Sequence, residues 1–589
     1  MVNSRQRVDW ALALLIVLFL IWRAVLLLYS PYVYDEEEYK TGSIAHLVIV
    51  GPQLPLLELT PGDYEGGTLV AGLLTVIPFK LLGENHLALK TVAIAFSLLL
   101  LVSIYLLVKR LASRTAALIA GGMLILAPPY VSQVTLLPWG NYAEAAALSA
   151  LTFLIAMPMF ERGSRSPIRM FALGLLAGFG TYMHYGYLAA PLSVCLMWFA
   201  RDRLRFFGPA LLYFLLGALI GFAPWILYNA THDFWGLQRI RDAIGSPGSG
   251  APVGVGERLQ AMVVRFGALF IDDLPASFHF RDSLGLPRKL WAYVWYLPAC
   301  VGLIIVALKS RGGPRAMLRG GAWPKGAFAC VIWVYLLIYA LIFSATDYGL
   351  FLSGWQSLDP ESHAHIFVML PWLAAAIGLS AHYLLNGSRP KIWLPLLLCG
   401  PLIAGTIGQS SLLQFDKPQV ERLRSKAWDE GIIYVEIGSK WARDPDRLWE
   451  IGGQLGDLEA SYFSFGVGIQ FGLWNDGSAR RALQACDRHF DRANAPYCAL
   501  GVGVGLYTVP NLSPTARRAV IDAVESDYSD LVKAGAAIGE IWVDAAAGPY
   551  FERSWQRDFR ELGATPEDAD RLQRFIDLQL KMLEVQPPK

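Results

Sequence analysis

The densest group of potentially reactive side chains is a run of four carboxylates that follows the first long apolar stretch of the sequence. The run is Asp35 to Glu38, within the segment YDEEEY at residues 34–39. A carboxylate in a cleft can act as a general base and take the proton of an acceptor hydroxyl. Charge runs also mark solvated surfaces, and Lys40 lies where it could pair with Glu36 along a helix. The segment therefore fits either acid–base chemistry or a solvated acidic turn.

Three histidines are further candidates. His184 lies among tyrosines at the turn between two apolar segments, where it could contact a phosphate or serve as an ordinary interfacial residue. His363 and His365 open a predicted helix. Residues two apart on a helix point about 200° apart, so these two histidines should not chelate one ion. One of them could still face a cleft.

Other polar candidates lie close to the predicted membrane surface. Glu144 is near the end of an apolar segment, and an ionisable residue inside a span is a functional candidate. Arg281 lies in a loop with other basic residues, where it could hold a phosphate or belong to an ordinary folded loop. The six cysteines have no CxxC spacing, so neither a zinc module nor a disulfide scaffold is predicted.

The composition indicates that the chain carrying these candidate residues is mostly a membrane protein. The chain has 589 residues, of which 54% are hydrophobic and 17% charged. Soluble domains carry about 25% charged residues. The net charge of +2 excludes a nucleic-acid binder that depends on bulk charge.

Eleven apolar segments approach the length of about 20 residues that crosses a bilayer. They lie near residues 10–29, 87–108, 115–133, 142–160, 168–184, 185–200, 206–228, 290–308, 326–345, 363–385 and 392–410. The first lacks the small-residue cleavage site of a removable signal peptide. We therefore expect a mainly α, polytopic membrane protein with about eleven transmembrane helices in residues 1–410.

Lys and Arg residues indicate the orientation of these segments, because basic loops stay in the cytoplasm. With eleven spans, the basic clusters all fall on the side of the N-terminus, whereas loop 134–141 has no Lys or Arg. We expect a cytoplasmic N-terminus, long outer loops at 30–86 and 229–289, and residence in the cell inner (plasma) membrane. Segment 66–82 contains Pro78, and counting it as a span would invert the later loops. We expect it to be a juxtamembrane or re-entrant helix.

Residues 411–589 are more polar and predict an extracytoplasmic, periplasmic α-helical domain. Segments 462–469 and 497–504 are similar and 35 residues apart, with a weaker copy at 537–539. This period is typical of tetratricopeptide-like hairpins, although two glycine-rich helices in an ordinary bundle would look the same. Cys486 and Cys498 could form a disulfide in that compartment or remain two buried thiols.

The order of features in residues 1–410 resembles that of the polytopic GT-C glycosyltransferases. It is similar to bacterial relatives of protein O-mannosyltransferases and of lipid A aminoarabinose transferases. The resemblance rests on the basic N-terminus, the first span, the Asp35-Glu36 pair, a long outer loop, and the segment KLLGENHLALK at 80–90. The segment GNYAE at 140–144 resembles a Gly/Tyr/Glu element of the second outer loop, and 221–229 resembles the Gly-Pro-Asn end of a later span.

The resemblance implies a GT-C fold and a hexosyl- or pentosyltransferase. The donor would be a sugar on a polyprenyl phosphate, and the acceptor a hydroxyl on a lipid, glycan or protein at the outer membrane face. Asp35 would be the general base. Glu36 would orient the acceptor or bind a divalent metal if one is used. The substrate- and donor-binding residues would be Glu144, His184, Arg281, His363 and His365.

Two other functions remain open at this point. A multi-pass transporter or lipid flippase would place charged residues in mid-membrane and show internal symmetry, whereas the acids here cluster at one face. A non-catalytic scaffold that presents the C-terminal repeats is the other alternative. Membrane lipids are expected partners in all three cases, and nucleic acids in none.

Overall fold

The computed structural model describes most of the chain and is almost entirely helical. The described residues are 9–35, 37–60, 65–163, 165–232, 234–238, 255–309, 327–345, 361–386, 393–429, 431–442, 444–474, 478–508, 514–524 and 526–544. Within these ranges no β-strand forms, and the two isolated bridges are Asn85 with Lys426 and Ser283 with Leu286. The expected mainly α fold is confirmed.

The chain divides into two compact units. The first comprises Met1–Tyr34 and Tyr64–Lys426, and the second comprises Asp35–Asp63 and Ala427–Lys589. The acidic segment at 35–38 therefore belongs to the second unit, whereas Glu144, His184, Arg281, His363 and His365 belong to the first.

The first unit is a bundle of apolar helices. Its α-helices of six or more residues up to residue 232 are α1 (Trp10–Tyr29), α3 (Gly67–Leu82), α4 (His86–Leu111), α5 (Arg114–Ile125), α6 (Pro129–Val134), α7 (Tyr142–Arg162), α8 (Pro167–Met183), α9 (Ala189–Asp202), α10 (Pro209–Gly221) and α11 (Ala223–Ala230). They are followed by α12 (Val255–Ala268), α13 (Arg288–Lys309), α14 (Cys330–Ala345), α15 (Leu370–Leu385), α16 (Trp393–Ser410) and the short α17 (Val420–Arg424). A 3-10 helix, Glu361–Met369, leads into α15.

Helices occupy all eleven predicted spans, but only some of them are long. Five described helices are long and apolar enough to cross a membrane: Trp10–Tyr29, His86–Leu111, Tyr142–Glu161, Arg288–Lys309 and His363–Leu385. Segments Tyr185–Phe207 and Pro209–Gly221 form a pair bent by 111°. The helix α3 has only 16 residues and contains Pro78. The structure confirms several membrane-spanning helices, and the number eleven remains a prediction.

Glycines allow α8 and α10 to pack with their backbones in contact. A Cβ added at Gly178 would lie 2.0 Å from the carbonyl oxygen of Ala218, and one at Gly174 would lie 1.9 Å from that of Phe214. On α10, Gly217 and Gly221 face the backbone of α8 in the same way. Small residues four apart are typical of helix pairs in membranes. The close approach of α8 and α10 therefore depends on glycine at these positions.

We expect Gly178→Ala to destabilise the first unit, because the added methyl cannot fit without moving α8 away from α10. Overpacking of this kind costs about 1–3 kcal/mol. The measurement is the fraction of protein that stays monodisperse in detergent after heating. Gly122→Ala is the matched control, since a Cβ at Gly122 on α5 meets nothing within 4 Å. Equal melting of the two variants would contradict the close packing of α8 and α10.

Ion pairs join several helix ends at one end of the first unit, which we call the basic end. Lys109 near the end of α4 binds Asp9 before α1, with Nζ to Oδ2 at 2.7 Å. The guanidinium of Arg110 binds both carboxylate oxygens of Glu161 at the end of α7, at 2.6 to 3.1 Å. Arg165 before α8 pairs with Asp202 at the end of α9. These pairs account for basic residues that the sequence assigned to the cytoplasmic side.

The Arg23 side chain of α1 lies inside the first unit. A lone arginine near a span's end commonly snorkels to the membrane surface. Here the Arg23 side chain is buried, its Nη1 donates to the Ser132 hydroxyl at 2.8 Å, and its guanidinium lies over the Phe19 ring. Gln409 donates to the same hydroxyl at 2.6 Å. The arginine therefore belongs to an internal polar network.

The second unit consists of short helices stacked side by side. Its helices are α2 (Glu38–Val50), α18 (Ile432–Trp441), α19 (Pro445–Gly452), α20 (Asp457–Trp474), α21 (Ala479–His489), α22 (Ala495–Thr508), α23 (Pro514–Asp522) and α24 (Ser529–Asp544). The helices α18, α20, α22 and α24 pack consecutively. Their glycines bring backbones together: a Cβ at Gly503 would lie 2.0 Å from the carbonyl oxygen of Val532.

This arrangement agrees with the sequence similarity at 462–469, 497–504 and 537–539, because these segments lie on α20, α22 and α24. The helices α18, α20 and α22 are each followed by a shorter helix, as in helix-hairpin repeats. Cys486 on α21 and Cys498 on α22 form a disulfide with Cα atoms 5.7 Å apart. Of the two alternatives for this cysteine pair, the structure therefore has the disulfide.

Candidate functional site

Buried polar side chains converge in the first unit at the helix ends opposite the basic end. We call Glu65, Tyr142, Glu144, His184 and His365 the polar cluster. The cluster and the basic end are separated by the length of α7, since Glu144 lies in its first turn and Glu161 in its last. A helix of 21 residues spans about 30 Å. The polar cluster therefore lies at one end of the helix bundle, and the basic end lies at the other.

A carboxylate–imidazole pair forms the centre of the polar cluster. Oε2 of Glu65 lies 2.9 Å from Nδ1 of His184, and its Oε1 accepts the backbone N–H of Tyr185 at 2.9 Å. His184 follows the last residue of α8, and Glu65 immediately precedes the segment that starts α3. A carboxylate on one ring nitrogen sets the tautomer and the orientation of the ring. The second nitrogen, Nε2, is thereby directed toward a ligand position.

The charge state of Glu65 follows from these contacts. Burial by itself would raise the pKa of this carboxyl, but the His184 ring and the Tyr185 N–H favour the charged form, and the net pKa is lowered. Glu65 is therefore a carboxylate at neutral pH.

Aromatic rings connect the pair to His365. The Tyr142 ring makes edge-to-face contacts with His184 at 5.2 Å and with His365 at 5.3 Å between centroids. The two histidine rings are stacked at 6.2 Å. The hydroxyl of Tyr339 donates to the backbone carbonyl of His365. His184 and His365, which are far apart in sequence, thus belong to one cluster.

Glycines allow the elements around the cluster to approach. A Cβ at Gly140 would lie 2.1 Å from the Gly67 carbonyl oxygen, and one at Gly67 would lie 2.2 Å from the Gly140 carbonyl oxygen. Gly140 also has a φ of +85°, which favours glycine. Next to it, the Thr68 hydroxyl donates to the Trp139 carbonyl at 3.0 Å. These contacts hold the start of α7 against the start of α3.

Several polar atoms of this region are buried without a hydrogen-bond partner among the described residues. They are Nε1 of Trp139, Oδ1 of Asn141, both carboxylate oxygens of Glu144 and Nε2 of His184. The backbone amides of Gly140 and Glu144 lie near this carboxylate, but no hydrogen bond of ordinary geometry reaches either oxygen. Buried polar groups are normally paired, so this group of atoms is suited to a ligand or to ordered water.

His363 and His365 point to different partners, as their spacing predicted. Nδ1 of His363 lies 2.9 Å from Nε2 of His279, and the Tyr130 ring packs on His279 at 4.4 Å. Burial lowers the pKa of His279 well below its ordinary value, and nearby His363, Arg281 and Arg288 lower it further. The His279 imidazole is therefore neutral, and it shares one hydrogen bond with His363. His363 lies outside the polar cluster.

Arg281 also lies outside the polar cluster. Its guanidinium carbon is 3.8 Å from the centroid of the Tyr32 ring. A cation over an aromatic face is a stabilising contact. The structure therefore gives Arg281 a partner in the first unit, and its assignment to a donor phosphate stays a prediction.

Asp35 and its neighbours start the helix α2 in the second unit. The backbone N–H of Glu37 donates to Oδ1 of Asp35 at 2.8 Å, and Oε1 of Glu38 lies 3.5 Å from the Asp35 amide nitrogen. The first of these bonds closes an Asx turn that leads into α2, whose N-cap residue is Glu37. Asp35 is half-buried, Glu38 is buried, and Glu36 lies outside the described residues.

Lys40 forms ion pairs that give one carboxylate of the acidic run a structural role. Its ammonium binds Glu37 at 3.0 Å and Glu436 at 2.9 Å. Burial would lower the pKa of Lys40, but these two carboxylates raise it above its ordinary value. Lys40 therefore joins Glu37 to Glu436, a residue of the second unit that is distant in sequence, and the role of Glu37 in these contacts is structural. The expected pairing with Glu36 falls on a residue that is not described.

No group of three His, Cys, Asp or Glu side chains in the described ranges could hold a metal ion. Glu65, His184 and His365 approach such a group most closely, but the 6.2 Å stacking of the two rings turns them face to face. A divalent metal at Glu36 remains a prediction because that residue lies outside the described ranges.

Sequence reasoning missed Glu65, Tyr142 and His279. Glu65 lies in the outer loop predicted at 30–86, and nothing in the sequence connects it to His184, 119 positions away. The signal that could have found Tyr142 was its place within GNYAE, next to Glu144. His279 lies in a loop rich in basic residues and had no periodic pattern around it.

Comparisons with known proteins give a structural likeness but no match from sequence. No family model matches the sequence, and no curated protein does. The fold is similar, with a TM-score of 0.44 and 11% sequence identity, to the crystal structure of an apo oligosaccharyltransferase from Archaeoglobus fulgidus. The match covers 85% of this chain and 72% of that one.

Proposed function

We propose that this protein is a membrane glycosyltransferase of GT-C type. It transfers a sugar from a polyprenyl-phosphate donor to a hydroxyl on a lipid, glycan or protein acceptor. The reaction takes place at the outer face of the inner membrane, with the N-terminus in the cytoplasm and residues 411–589 in the periplasm. The N-terminal sequence resemblance supports this reaction class.

The observation that carries the proposal is the one-sided position of the polar cluster. Glu65, Glu144, His184 and His365 lie at helix ends of the first unit, with a basic end at the other side of the same helices. The lateral surface between these ends is apolar: Leu212, Leu219 and Ile77 are each at least half exposed. Such a bundle suits a substrate with a lipid tail and a polar head.

In this mechanism the acceptor oxygen attacks the anomeric carbon of the sugar, and the bond from that carbon to the phosphate oxygen breaks. Asp35 takes the proton of the acceptor hydroxyl, with Glu36 as its companion. His184, held by Glu65, donates a hydrogen bond to the departing phosphate. This hydrogen bond stabilises the charge that develops there. Arg281 and His363 are assigned to donor binding as well.

The test is sugar transfer by the purified full-length protein in detergent. We expect transfer of a hexose or pentose from a polyprenyl-phosphate donor to a hydroxyl acceptor, measured by mass spectrometry of the product. A protein reconstituted in vesicles that moves the intact donor across the bilayer without forming product would instead be a transporter or flippase. If the protein neither transfers sugar nor moves the donor across the bilayer, the result would favour a scaffold.

A further inference from the structure

A short helical segment that joins α9 to α10 exposes apolar and basic side chains together. It is the 3-10 helix Arg203–Phe207, which we call the break segment. The chain bends by 111° between Tyr185–Phe207 and Pro209–Gly221. Leu204 is 85% exposed and Phe207 is 65% exposed. Because a 3-10 helix has three residues per turn, these two side chains lie on the same side of the segment and form an apolar face.

An aromatic side chain holds the break segment against the helix bundle. The Phe206 ring contacts the Trp198 ring edge-to-face at 4.5 Å between centroids, and Trp198 is fully buried. Phe206 also contacts the rings of Phe199 and Phe207, at 5.7 and 5.2 Å. The exposed apolar face of Leu204 and Phe207 therefore belongs to an anchored surface of the first unit.

The break segment lies at the basic end of the first unit. Asp202, the residue before it, pairs with Arg165 at the start of α8. Arg201 donates to the backbone carbonyl of Met159 near the end of α7, and the polar cluster lies at the other end of that helix. In the predicted orientation, the break segment therefore lies at the cytoplasmic leaflet of the membrane.

Two arginines give the break segment a positive charge. Arg203 and Arg205 are both exposed, and the segment RLRFF contains no carboxylate. The Arg205 side chain forms no ion pair or hydrogen bond with a described residue, and the neighbouring Asp202 already pairs with Arg165. The charge of Arg205 is therefore available to an anionic partner.

A phospholipid is a partner that fits both the charge and the apolar face. A guanidinium binds phosphate oxygens through paired hydrogen bonds, and apolar side chains beside it can enter the boundary between headgroups and acyl chains. The apolar face continues along both flanking helices, where Phe199 of α9 and Leu212 and Leu216 of α10 are exposed. These helices belong to predicted spans, so the surface that meets the break segment is the bilayer.

We propose that the break segment binds anionic phospholipids of the leaflet at the basic end. Leu204 and Phe207 lie among the upper acyl chains, and Arg203 and Arg205 contact the phosphates. The negative surface of a cytoplasmic leaflet strengthens binding by about fivefold for each Lys or Arg near it. The break segment and the polar cluster are at opposite ends of the bundle, so this lipid preference does not depend on the proposed sugar transfer.

The test compares phosphatidylglycerol with phosphatidylcholine of the same acyl chains. Each lipid is titrated into the full-length protein in a neutral detergent at low salt, and native mass spectrometry gives the dissociation constants. We expect phosphatidylglycerol to bind at least about fivefold more tightly. The preference should shrink at about 0.5 M salt, because salt screens exposed charges. Soluble glycerol 3-phosphate should not compete, since it has no acyl chains.

A double variant assigns the preference to the arginines of the break segment. Arg203→Gln combined with Arg205→Gln should reduce the preference to less than about twofold and leave phosphatidylcholine binding unchanged. Arg114→Gln is the matched control, because it removes a charge at the basic end from α5, where Arg114 pairs with Asp9. This control should keep the preference. The three arginines are exposed, so folding should survive.

A second variant tests the apolar face separately. Leu204→Ser should weaken binding of both lipids by about fivefold and leave the ratio between them unchanged, because burial of a leucine does not depend on the headgroup charge. Leu284→Ser is its control, since Leu284 is also exposed but lies in the loop before α13. That variant should bind both lipids as the wild type does.

Four outcomes would overturn the proposal. The first is equal binding of the two lipids by the wild type. The second is a preference that survives the double arginine substitution, and the third is an equal loss of preference in Arg114→Gln, which would mean that the net charge of the basic end determines it. The fourth is displacement of phosphatidylglycerol by glycerol 3-phosphate at similar concentrations, which would show a site for free phosphate.

Discussion

Asp35→Asn should lower the rate of sugar transfer by about 10²–10⁴-fold, the usual contribution of general acid–base assistance. Asparagine cannot take a proton from the acceptor hydroxyl. Its side-chain oxygen can still accept the N–H of Glu37, which lies 2.8 Å from Oδ1 of Asp35. The start of α2 should therefore survive the substitution. The measurement is the single-turnover transfer rate of purified protein, beside its melting temperature in detergent.

Two further variants separate chemistry from structure at this position. Asp35→Ala removes both the base and the acceptor of the Glu37 N–H, so it should lose activity and also about 1 kcal/mol of stability. Glu37→Gln weakens the Lys40 ion pair and should lower the melting temperature with little change in the transfer rate. If Asp35→Asn transfers sugar at the wild-type rate while Asp35→Ala only melts earlier, Asp35 has a structural role and the base lies elsewhere.

Glu65→Gln should lower transfer by about 10²-fold or more, within the usual range for proton-transfer groups. The carboxylate accepts from both Nδ1 of His184 and the N–H of Tyr185. A glutamine has only one acceptor oxygen, so its amide must face one of these two donors. The His184 ring then loses its hydrogen bond or changes its tautomer, and Nε2 no longer has the same protonation or orientation.

The pH dependence of stability gives a readout independent of activity. The folded-state pKa of Glu65 lies below its ordinary value of 4.5. The stabilisation from its charged form is therefore complete above about pH 4.5 and is lost as the pH falls below it. We expect the melting temperatures of wild type and Glu65→Gln to differ at pH 7 and to converge in acid. Glu450→Gln, in an exposed pair with Arg447, is the control and should show almost no difference at any pH.

A constant gap between wild type and Glu65→Gln down to acid pH would show that Glu65 is not charged in the folded protein. Full transfer activity in Glu65→Gln, with a changed melting profile, would leave Glu65 with a structural role only. His184→Gln then decides whether the imidazole itself takes part in the reaction.

The helical composition of the chain could be predicted from local pattern. Long apolar runs place helices at the predicted spans because burying a backbone in lipid requires internal hydrogen bonds. The similarity of segments 462–469, 497–504 and 537–539 likewise indicated repeated helices, which the structure shows as α20, α22 and α24. Helices that pack through the same kind of face have similar residues at that face. The different partners of His363 and His365 agree with helix geometry, because residues two apart on a helix do not share a face.

The candidate site depends on tertiary structure because its members are distant in sequence. Glu65 meets His184 across 119 positions, and Tyr142 joins His184 to His365. No local signal links these residues, because their contact depends on which helix ends share a face of the bundle. The burial of Arg23 likewise depends on Ser132, 109 positions away.

By itself, the sequence determined a helical membrane protein with basic helix ends and an acidic segment after the first helix. These features depend on hydropathy and charge, which each short segment carries independently of the rest of the chain. Only the tertiary structure decided that Asp35–Asp63 joins the C-terminal unit, that Lys40 pairs with Glu436, and that the carboxylate oxygens of Glu144 are buried without a hydrogen-bond partner among the described residues. The physical reason is that burial and pairing are properties of surroundings, which distant parts of the chain supply when they pack.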